Sequence, residues 1–272
     1  MPVTILGASG FIGRHLASAL RARGVEPWCP DREATEQIYR RPLGTVYYCI
    51  GLTADFLARP FDTVDAHVSL LASILKQSDF ERLVYLSSTR LYDPMGAALA
   101  QESTPLQCSP GDPRHLYNLS KGLGENLCLT VSGGRAKVAR LSCVLGTSLE
   151  DDGFVPALVR DGRQTKKLVV QSSPHFSRDY VGIDDVTTLL MDIAERGRQD
   201  IYNVASGINV SNRELFGIVE RETGCEIHAA LSGQGDAPAV DVTRIRDEFG
   251  FHPTPLKSLI DAMLRNAPKP SP

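Results

Sequence analysis

Two groups of residues have types and spacings that could do chemistry. Gly7, Gly10 and Gly13 form a G-x-x-G-x-x-G run between Val3-Thr4-Ile5-Leu6, which reads as a strand, and an apolar-periodic stretch that reads as a helix. This is the pattern of a dinucleotide cradle. Gly7 permits a tight turn, Gly10 lets the backbone approach a pyrophosphate, and Gly13 lets the helix lie close on the strand. The helix start, Ser9-Gly10-Phe11-Ile12, offers unpaired N–H groups and a positive dipole end to the phosphates. Far downstream, Tyr117-Asn118-Leu119-Ser120-Lys121 spaces a phenol and an ammonium four residues apart, on one face of a helix. A Y-x-x-x-K match alone is common. Placed one helix after the serine-rich strand end Ser87-Ser88 and behind a dinucleotide fingerprint, it is poorly explained by chance.

The intervening elements must position these groups. Residues 25–30 read as a second strand with Asp31 at its end, at the distance where an acidic side chain holds adenosine ribose hydroxyls. The plainer reading of Asp31 is a turn residue. Arg32 beside it could instead accept a 2′-phosphate, so NAD is favoured and NADP stays open. Pro27 and Pro30 suit an edge strand. Only 33–44 separates this strand from Thr45-Val46-Tyr47-Tyr48-Cys49-Ile50, room for one short helix over 33–41. The usual third strand is therefore expected to be missing and the adenine pocket to be shallow. Ile50-Gly51-Leu52 then stands at a strand's carboxyl end, where ligands sit in open parallel sheets.

Val64, Val68, Leu71 and Leu75 mark a long helix that carries His67. Residues 82–86 read as a buried strand, and 93–114 as a long irregular loop of the kind that borders a site. Another strand spans 136–141. Residues 142–177 are irregular, with a short helix over 154–160. The basic run 160–167 reads as a solvated face, a diphosphate loop being the lesser alternative. Arg178-Asp179-Tyr180-Val181 leads into a helix over 183–195, where Asp184 and Asp185 suit the N-terminal dipole rather than a metal. A strand over 201–204 follows. Ser211 and Glu214 form a capping box for a helix ending at Gly224, and helices span 241–249 and 256–266. The prolines of 268–272 read as a frayed tail.

Composition sets limits. A net charge of −3 gives no footing for nucleic acid or an acidic membrane surface. No apolar run reaches the ~20 residues that span a bilayer, and a strand starting at Val3 leaves no room for a signal peptide. The six cysteines show neither paired nor ligand-like spacing. They read as reduced thiols of a cytoplasmic protein, with no metal site.

The motifs Gly7–Gly13, Leu86-Ser87-Ser88-Thr89-Arg90-Leu91-Tyr92, Tyr117-x-x-x-Lys121, Arg140-Leu141-Ser142-Cys143-Val144-Leu145-Gly146, Arg178-Asp179-Tyr180-Val181 and Tyr202-Asn203-Val204-Ala205-Ser206-Gly207 occur in one order. Together they resemble the extended short-chain dehydrogenase/reductases, in particular the NAD-dependent epimerase/dehydratase family that modifies nucleotide-sugars. The resemblance covers nearly the whole chain. It implies an α/β fold, a Rossmann-type doubly wound parallel sheet (1–145 plus 178–206) with a small discontinuous C-terminal substrate lobe (146–177 plus 207–267) and a disordered tail. It implies that Ser88 hydrogen-bonds the reacting hydroxyl or ketone, that Tyr117 is the general acid/base, and that Lys121 binds the nicotinamide ribose and lowers the Tyr117 pKa. A free phenol titrates near ~10, so a neighbouring cation and oxidised nicotinamide both move it toward working pH. Ile50, Gly51, Leu52, His67 and Ser142 fall on the cofactor side, and Thr89, Cys143 and Arg178 on the substrate side.

The departures from the family pattern are specific. His67 stands where the family often has Asn, and either takes over its hydrogen bond or sits satisfied against the core. Cys143 stands where a substrate-side Asn is common, and reads as a small buried thiol. Arg90 stands where dehydratases carry an acid and reductase-epimerases often a Cys, which disfavours both. The Arg expected to grip a diphosphate is not evident in Ser232-Gly233-Gln234-Gly235-Asp236. The reading is therefore a 4-epimerase or 4-ketoreductase of a nucleotide-sugar, expected as a homodimer through the helices over 62–78 and 117–130. The alternatives are a reductase of a non-sugar keto compound and a non-catalytic dinucleotide sensor.

Overall fold

The computed structural model describes residues 2–96, 98–233 and 237–267. Its centre is a five-stranded parallel sheet. In chain order the elements are β1 (Val3–Leu6), α1 (Phe11–Ala22), β2 (Thr45–Tyr48), α2 (Pro60–Val64), α3 (Leu70–Gln77), β3 (Arg82–Ser88), the two-residue β4 (Leu99–Ala100), α4 (Leu116–Val131) and β5 (Ala136–Leu141). There follow β6 (Cys143–Leu145), α5 (Phe154–Gln164), β7 (Lys167–Val170), β8 (Ser177–Gly182), α6 (Ile183–Arg196) and β9 (Ile201–Val204). The chain ends with β10 (Asn209–Ser211), α7 (Asn212–Thr223), β11 (Glu226–Ala229), β12 (Ala239–Val240), α8 (Thr243–Phe249) and α9 (Leu256–Asn266). The central order is β1-β2-β3-β5-β9.

Successive strand residues face opposite sides of this sheet, and both sides are covered, as a parallel sheet requires. Ile5, Tyr47, Val84 and Leu86 pack into one core with α1 and α6 residues such as Leu16 and Leu190. Leu6, Val46, Tyr48, Leu83 and Tyr85 pack into a second core with Leu71, Ile74 and Cys128. A third core, built by Leu145, Val155, Val159, Leu215, Val219 and Ile260, belongs to the segments after β5.

The second strand expected over 25–30 is reduced to one bridge. Trp28 pairs with Thr4, its N–H donating to the Val3 carbonyl at 2.8 Å and its carbonyl accepting from Ile5 N–H at 2.9 Å. Pro27 and Pro30 on either side have no N–H to extend the ladder. The segment does lie outside β1, at the sheet edge, and 33–44 contributes only a 3₁₀ turn over Glu33–Tyr39 and no strand. Two further expectations change. Arg178-Asp179-Tyr180-Val181 is itself strand, β8, paired with β6 and β10. Asp185, in the first turn of α6, accepts from Thr254 N–H at 2.9 Å and its hydroxyl at 3.0 Å, pinning the approach to α9. The helix of 241–249 starts at Thr243 because Asp241 caps it from outside. The capping box of Ser211 and Glu214 and the left-handed stop at Gly224 stand as expected. The expected tail of 268–272 lies outside the described residues, as do residues 234–236 of the segment searched for a diphosphate Arg.

Between α2 and α3 the helix loosens into a single π turn, Asp65–Ser69, around His67. The Ala66 and His67 carbonyls in this turn accept from two buried hydroxyls, Tyr48 at 2.6 Å and Tyr85 at 3.2 Å. On the same side of the sheet, against α4, lies a buried ionic network. Arg140 forks onto Glu125 at 2.9 and 2.6 Å and reaches the Tyr92 hydroxyl at 2.6 Å, and Tyr92 donates to Asn203 Oδ1 at 2.8 Å. It fixes the turn after β3 against α4, β5 and β9.

Candidate active site

The site lies along the carboxyl ends of β1, β2, β3 and β5, where parallel strands point toward helix N-termini. Gly7 has φ +84°, and a Cβ there would meet the backbone of Cys49 and Ile50 at 3.0 Å. A Cβ on Gly13 would run into the Gly7 carbonyl, so α1 packs onto the turn only because Gly13 has none. Gly10 caps α1 without any side-chain bond, leaving the first-turn N–H groups without a side-chain acceptor. A pyrophosphate fits that cradle. Ser142 also fits a bound group: its hydroxyl is buried without a hydrogen-bond partner. Asp31 accepts from Ala34 N–H at 2.9 Å and so starts the 3₁₀ turn beyond the edge. This realises its turn-residue reading, with Arg32 beside it past the Trp28 bridge.

At the other end, α4 brings Tyr117 and Lys121 inward, both nearly fully buried. The Tyr117 ring packs edge-on against His67 and Phe56, with centroids at 5.4 and 5.6 Å. Burial holds its phenol above the usual value of 10, while Ser88, Thr53 and the Arg90 guanidinium pull it down and Asp93 opposes them. Lys121 reaches inward from the same helix face as Tyr117, toward Gly51. Its Nζ donates to the Leu86 carbonyl at 2.8 Å and lies 4.8 Å from the centre of the Tyr85 ring. Burial pushes this ammonium down to about 7, against the pull of Glu125. The guanidinium over Tyr117 is that of Arg90, 4.7 Å from the ring centre.

His67 is fully buried with both ring nitrogens engaged. Its Nε2 accepts from Leu52 N–H at 3.2 Å and its Nδ1 meets Ser120 Oγ at 2.8 Å. Ser120 in turn donates to the Tyr117 carbonyl at 3.0 Å. With Nε2 accepting, the ring carries its proton on Nδ1, and burial together with Lys121 pushes its pKa down to about 3. Neutral His67 thereby ties the Ile50-Gly51-Leu52 strand end to α4. Ser88 accepts from Arg90 N–H at 3.2 Å and caps the 3₁₀ turn Thr89–Met95, while Thr89 Oγ1 donates to the Leu141 carbonyl at 3.4 Å.

Beyond these residues opens a cavity of about 420 Å³ between β6, β8, α5 and α7. Cys143 and Arg178 line it together with Phe154, Phe176 and Asn212. Arg178 stacks on Phe176 at 5.0 Å and points a donor at Cys143 Sγ, 3.6 Å away. Reading the sequence did not single out Phe56, Asp93, Phe154, Phe176 or Asn212. Thr53 had a signal, its place at the β2 strand end; the others lie in loops and helices with no motif. Among the described residues no cluster of His, Cys, Asp or Glu could hold a metal ion.

A glycine turn under a parallel sheet, with a buried Tyr and Lys on the helix behind β3, defines an extended short-chain dehydrogenase/reductase. The chain belongs to the NAD-dependent epimerase/dehydratase family, whose profile it matches over residues 3–205; it is an NAD-dependent enzyme. It is 24% identical, over 97% of its length and 95% of the relative's, to a dTDP-4-dehydro-6-deoxy-D-allose reductase from a Streptomyces species. Its fold is similar to that of the UDP-glucose 4-epimerase of Thermotoga maritima solved with UDP-glucose (TM-score 0.83, 18% identity, 97% and 98% of the two chains). It is also similar to RMD from Pseudomonas aeruginosa complexed with NADPH (TM-score 0.79, 23% identity, 97% and 99%).

Proposed function

We propose that this enzyme is a 4-ketoreductase of a nucleotide-sugar, using NAD or NADP as an exchanged hydride carrier. The observation that carries the reading is the buried Tyr117 phenol flanked by Ser88 and Thr53, on the helix that packs behind the carboxyl end of β3. The glycine turn and α1 start would hold the pyrophosphate, Asp31 and Arg32 the adenosine end, and Lys121 the nicotinamide ribose. Bound cofactor supplies hydride to the carbonyl carbon. Ser88 orients the carbonyl oxygen and Tyr117 gives it a proton as general acid. The 420 Å³ cavity takes the nucleotide, with Phe176 and Phe154 offering apolar faces and Arg178 a cation for the diphosphate. This divides the chain into a dinucleotide part, 1–145 with 178–206, and a substrate lobe, 146–177 with 207–267.

Reduction is favoured over epimerisation because the adenosine edge is open: one bridge at Trp28 and a 3₁₀ turn stand where two strands would wall the adenine. A shallow pocket suits release of the spent cofactor. The sequence relative named as a reductase points the same way.

The test combines turnover with cofactor retention. Purified chain with NADPH should consume a dTDP-4-keto-6-deoxyhexose, and Tyr117→Phe should lose at least ~100-fold in kcat while its cofactor affinity stays within about threefold. Native mass spectrometry should find the purified protein free of NAD. Stoichiometric retained NAD would instead identify an epimerase, and undiminished turnover in Tyr117→Phe would remove the phenol from the chemistry.

A further inference from the structure

The phenol's charged surroundings include two groups outside the Tyr/Lys motif, Arg90 and Asp93. Four elements face Tyr117. The turn after β3 brings Ser88, Arg90 and Asp93, the segment after β2 brings Thr53 and Phe56, the π turn brings His67, and its own helix brings Ser120 and Lys121. Tyr85, on β3, carries Lys121 Nζ against its ring at 4.8 Å. Of these groups His67 is neutral, with both ring nitrogens engaged by Leu52 and Ser120. Lys121 is turned onto the Leu86 carbonyl.

Arg90 lies against the phenol ring itself. Its guanidinium lies over the Tyr117 ring at 4.7 Å and the Phe56 ring at 5.2 Å, and the two rings meet edge to face at 5.6 Å. Its ion pair with Asp93 is loose, 4.0 Å, and the Arg178 charge also draws on Asp93 without pairing with it. A cation over an aromatic face is attracted to its π-cloud, and that attraction grows when the ring becomes an anion. A guanidinium also stays charged at any working pH, which a buried ammonium does not.

Resting on the reading of Tyr117 as acid/base, we infer that Arg90 supplies the permanent positive charge that stabilises the Tyr117 phenolate, and that Asp93 moderates it. Arg90 acts through Tyr117 and tunes it, in addition to Lys121 on the same helix as the phenol. In the reductive direction it stabilises the phenolate left when the proton passes to the carbonyl oxygen. In the oxidative direction it keeps the base available at lower pH.

The experiment is a pH titration of ¹³C-tyrosine-labelled full-length chain with NAD⁺ added, Tyr117 being assigned by its loss in Tyr117→Phe. The pH profile of kcat/KM for sugar oxidation is followed in parallel. Arg90→Met should move the Tyr117 step and the acid limb up together by about one pH unit, a roughly tenfold loss of rate below the limb. Arg90→Lys should recover part of the shift, and Asp93→Asn should move both down. Opposite signs from two neighbours in one turn are what a purely structural role would not give. A Tyr117 step unmoved by Arg90→Met, or moved the same way by Asp93→Asn, overturns the inference. The resonance reads Arg90 whether or not the sugar turns over, so a Tyr117→Phe variant that retains full turnover removes the underlying reading and not the electrostatics.

Discussion

At the scale of single residues the site balances burial against charge. Lys121 shows it most directly. Its ammonium titrates at about 7 in the fold against 10.5 for an ordinary lysine, because burial takes it from water faster than Glu125 and the Leu86 carbonyl restore the loss. Between those values the unfolded chain binds more protons than the native one. Native stability should therefore rise with pH from about 7 toward about 10.5, and the full penalty should persist below. The contribution of this one group is at most ~1.4 kcal/mol per pH unit. Urea unfolding of the wild type and Lys121→Met across pH 7–10 checks it: the wild type should gain on the variant as pH rises. A constant difference would mean that the ammonium is not desolvated. His67 obeys the same sign lower down, neutral in the fold and disfavoured as acid protonates it.

At the scale of elements, the turn after β3 is held by buried charge. The Arg140 and Glu125 side chains are 3% and 4% exposed and paired at 2.6 Å, and the Glu125 carboxylate holds the guanidinium in its charged form despite burial. Removing one partner leaves the other charge buried and alone. Glu125→Ala should cost about 3–5 kcal/mol in chemical denaturation, whereas Glu36→Ala should change stability by no more than about 1 kcal/mol, since the Arg40–Glu36 pair is 76% and 81% exposed. A Glu125→Ala loss no larger than that of Glu36→Ala would show the network to be dispensable. The network joins the turn carrying Ser88 and Arg90 to α4, carrying Tyr117, so such a variant should lose activity before it unfolds. The π turn around His67 does the same for the strand end at Leu52.

At the scale of the whole molecule, two features bear on assembly and on the cofactor cleft. Apolar side chains stand exposed on neighbouring helices, Phe61 at 85% on α2 and Leu119 and Leu123 at 38% and 49%, one turn apart on α4. A second copy of the chain is the occupant expected there. Sedimentation should give twice the chain mass, and the double variant Phe61→Glu, Leu123→Glu should give the single mass with its fold intact; a wild type of single mass refutes the homodimer. No helix among the described residues is long and apolar enough to cross a membrane. Across the cleft, Arg14 on α1 reaches Asp151 at 2.7 Å, so the helix expected to hold the pyrophosphate is clasped to the loop leading into α5.

The sequence by itself determined what depends on local rules. The glycines dictated a cradle, because Gly7 must turn and Gly13 must admit the helix; periodicity and caps placed α1, α6, α7 and α9; and the short 33–44 interval excluded a third strand. The i, i+4 spacing put Tyr117 and Lys121 on one inward face. It could not say where each head group would end. Only the packed structure turned Lys121 onto Leu86, laid Arg90 over Tyr117, reduced the second strand to Trp28 and made Arg178–Val181 a strand. The cavity was likewise invisible, since it is assembled from residues near 143, 154, 176 and 212. Local conformation follows from neighbouring residues in the chain. Burial, strand pairing and the partner of a charged group follow from residues far apart, which only the tertiary fold brings together.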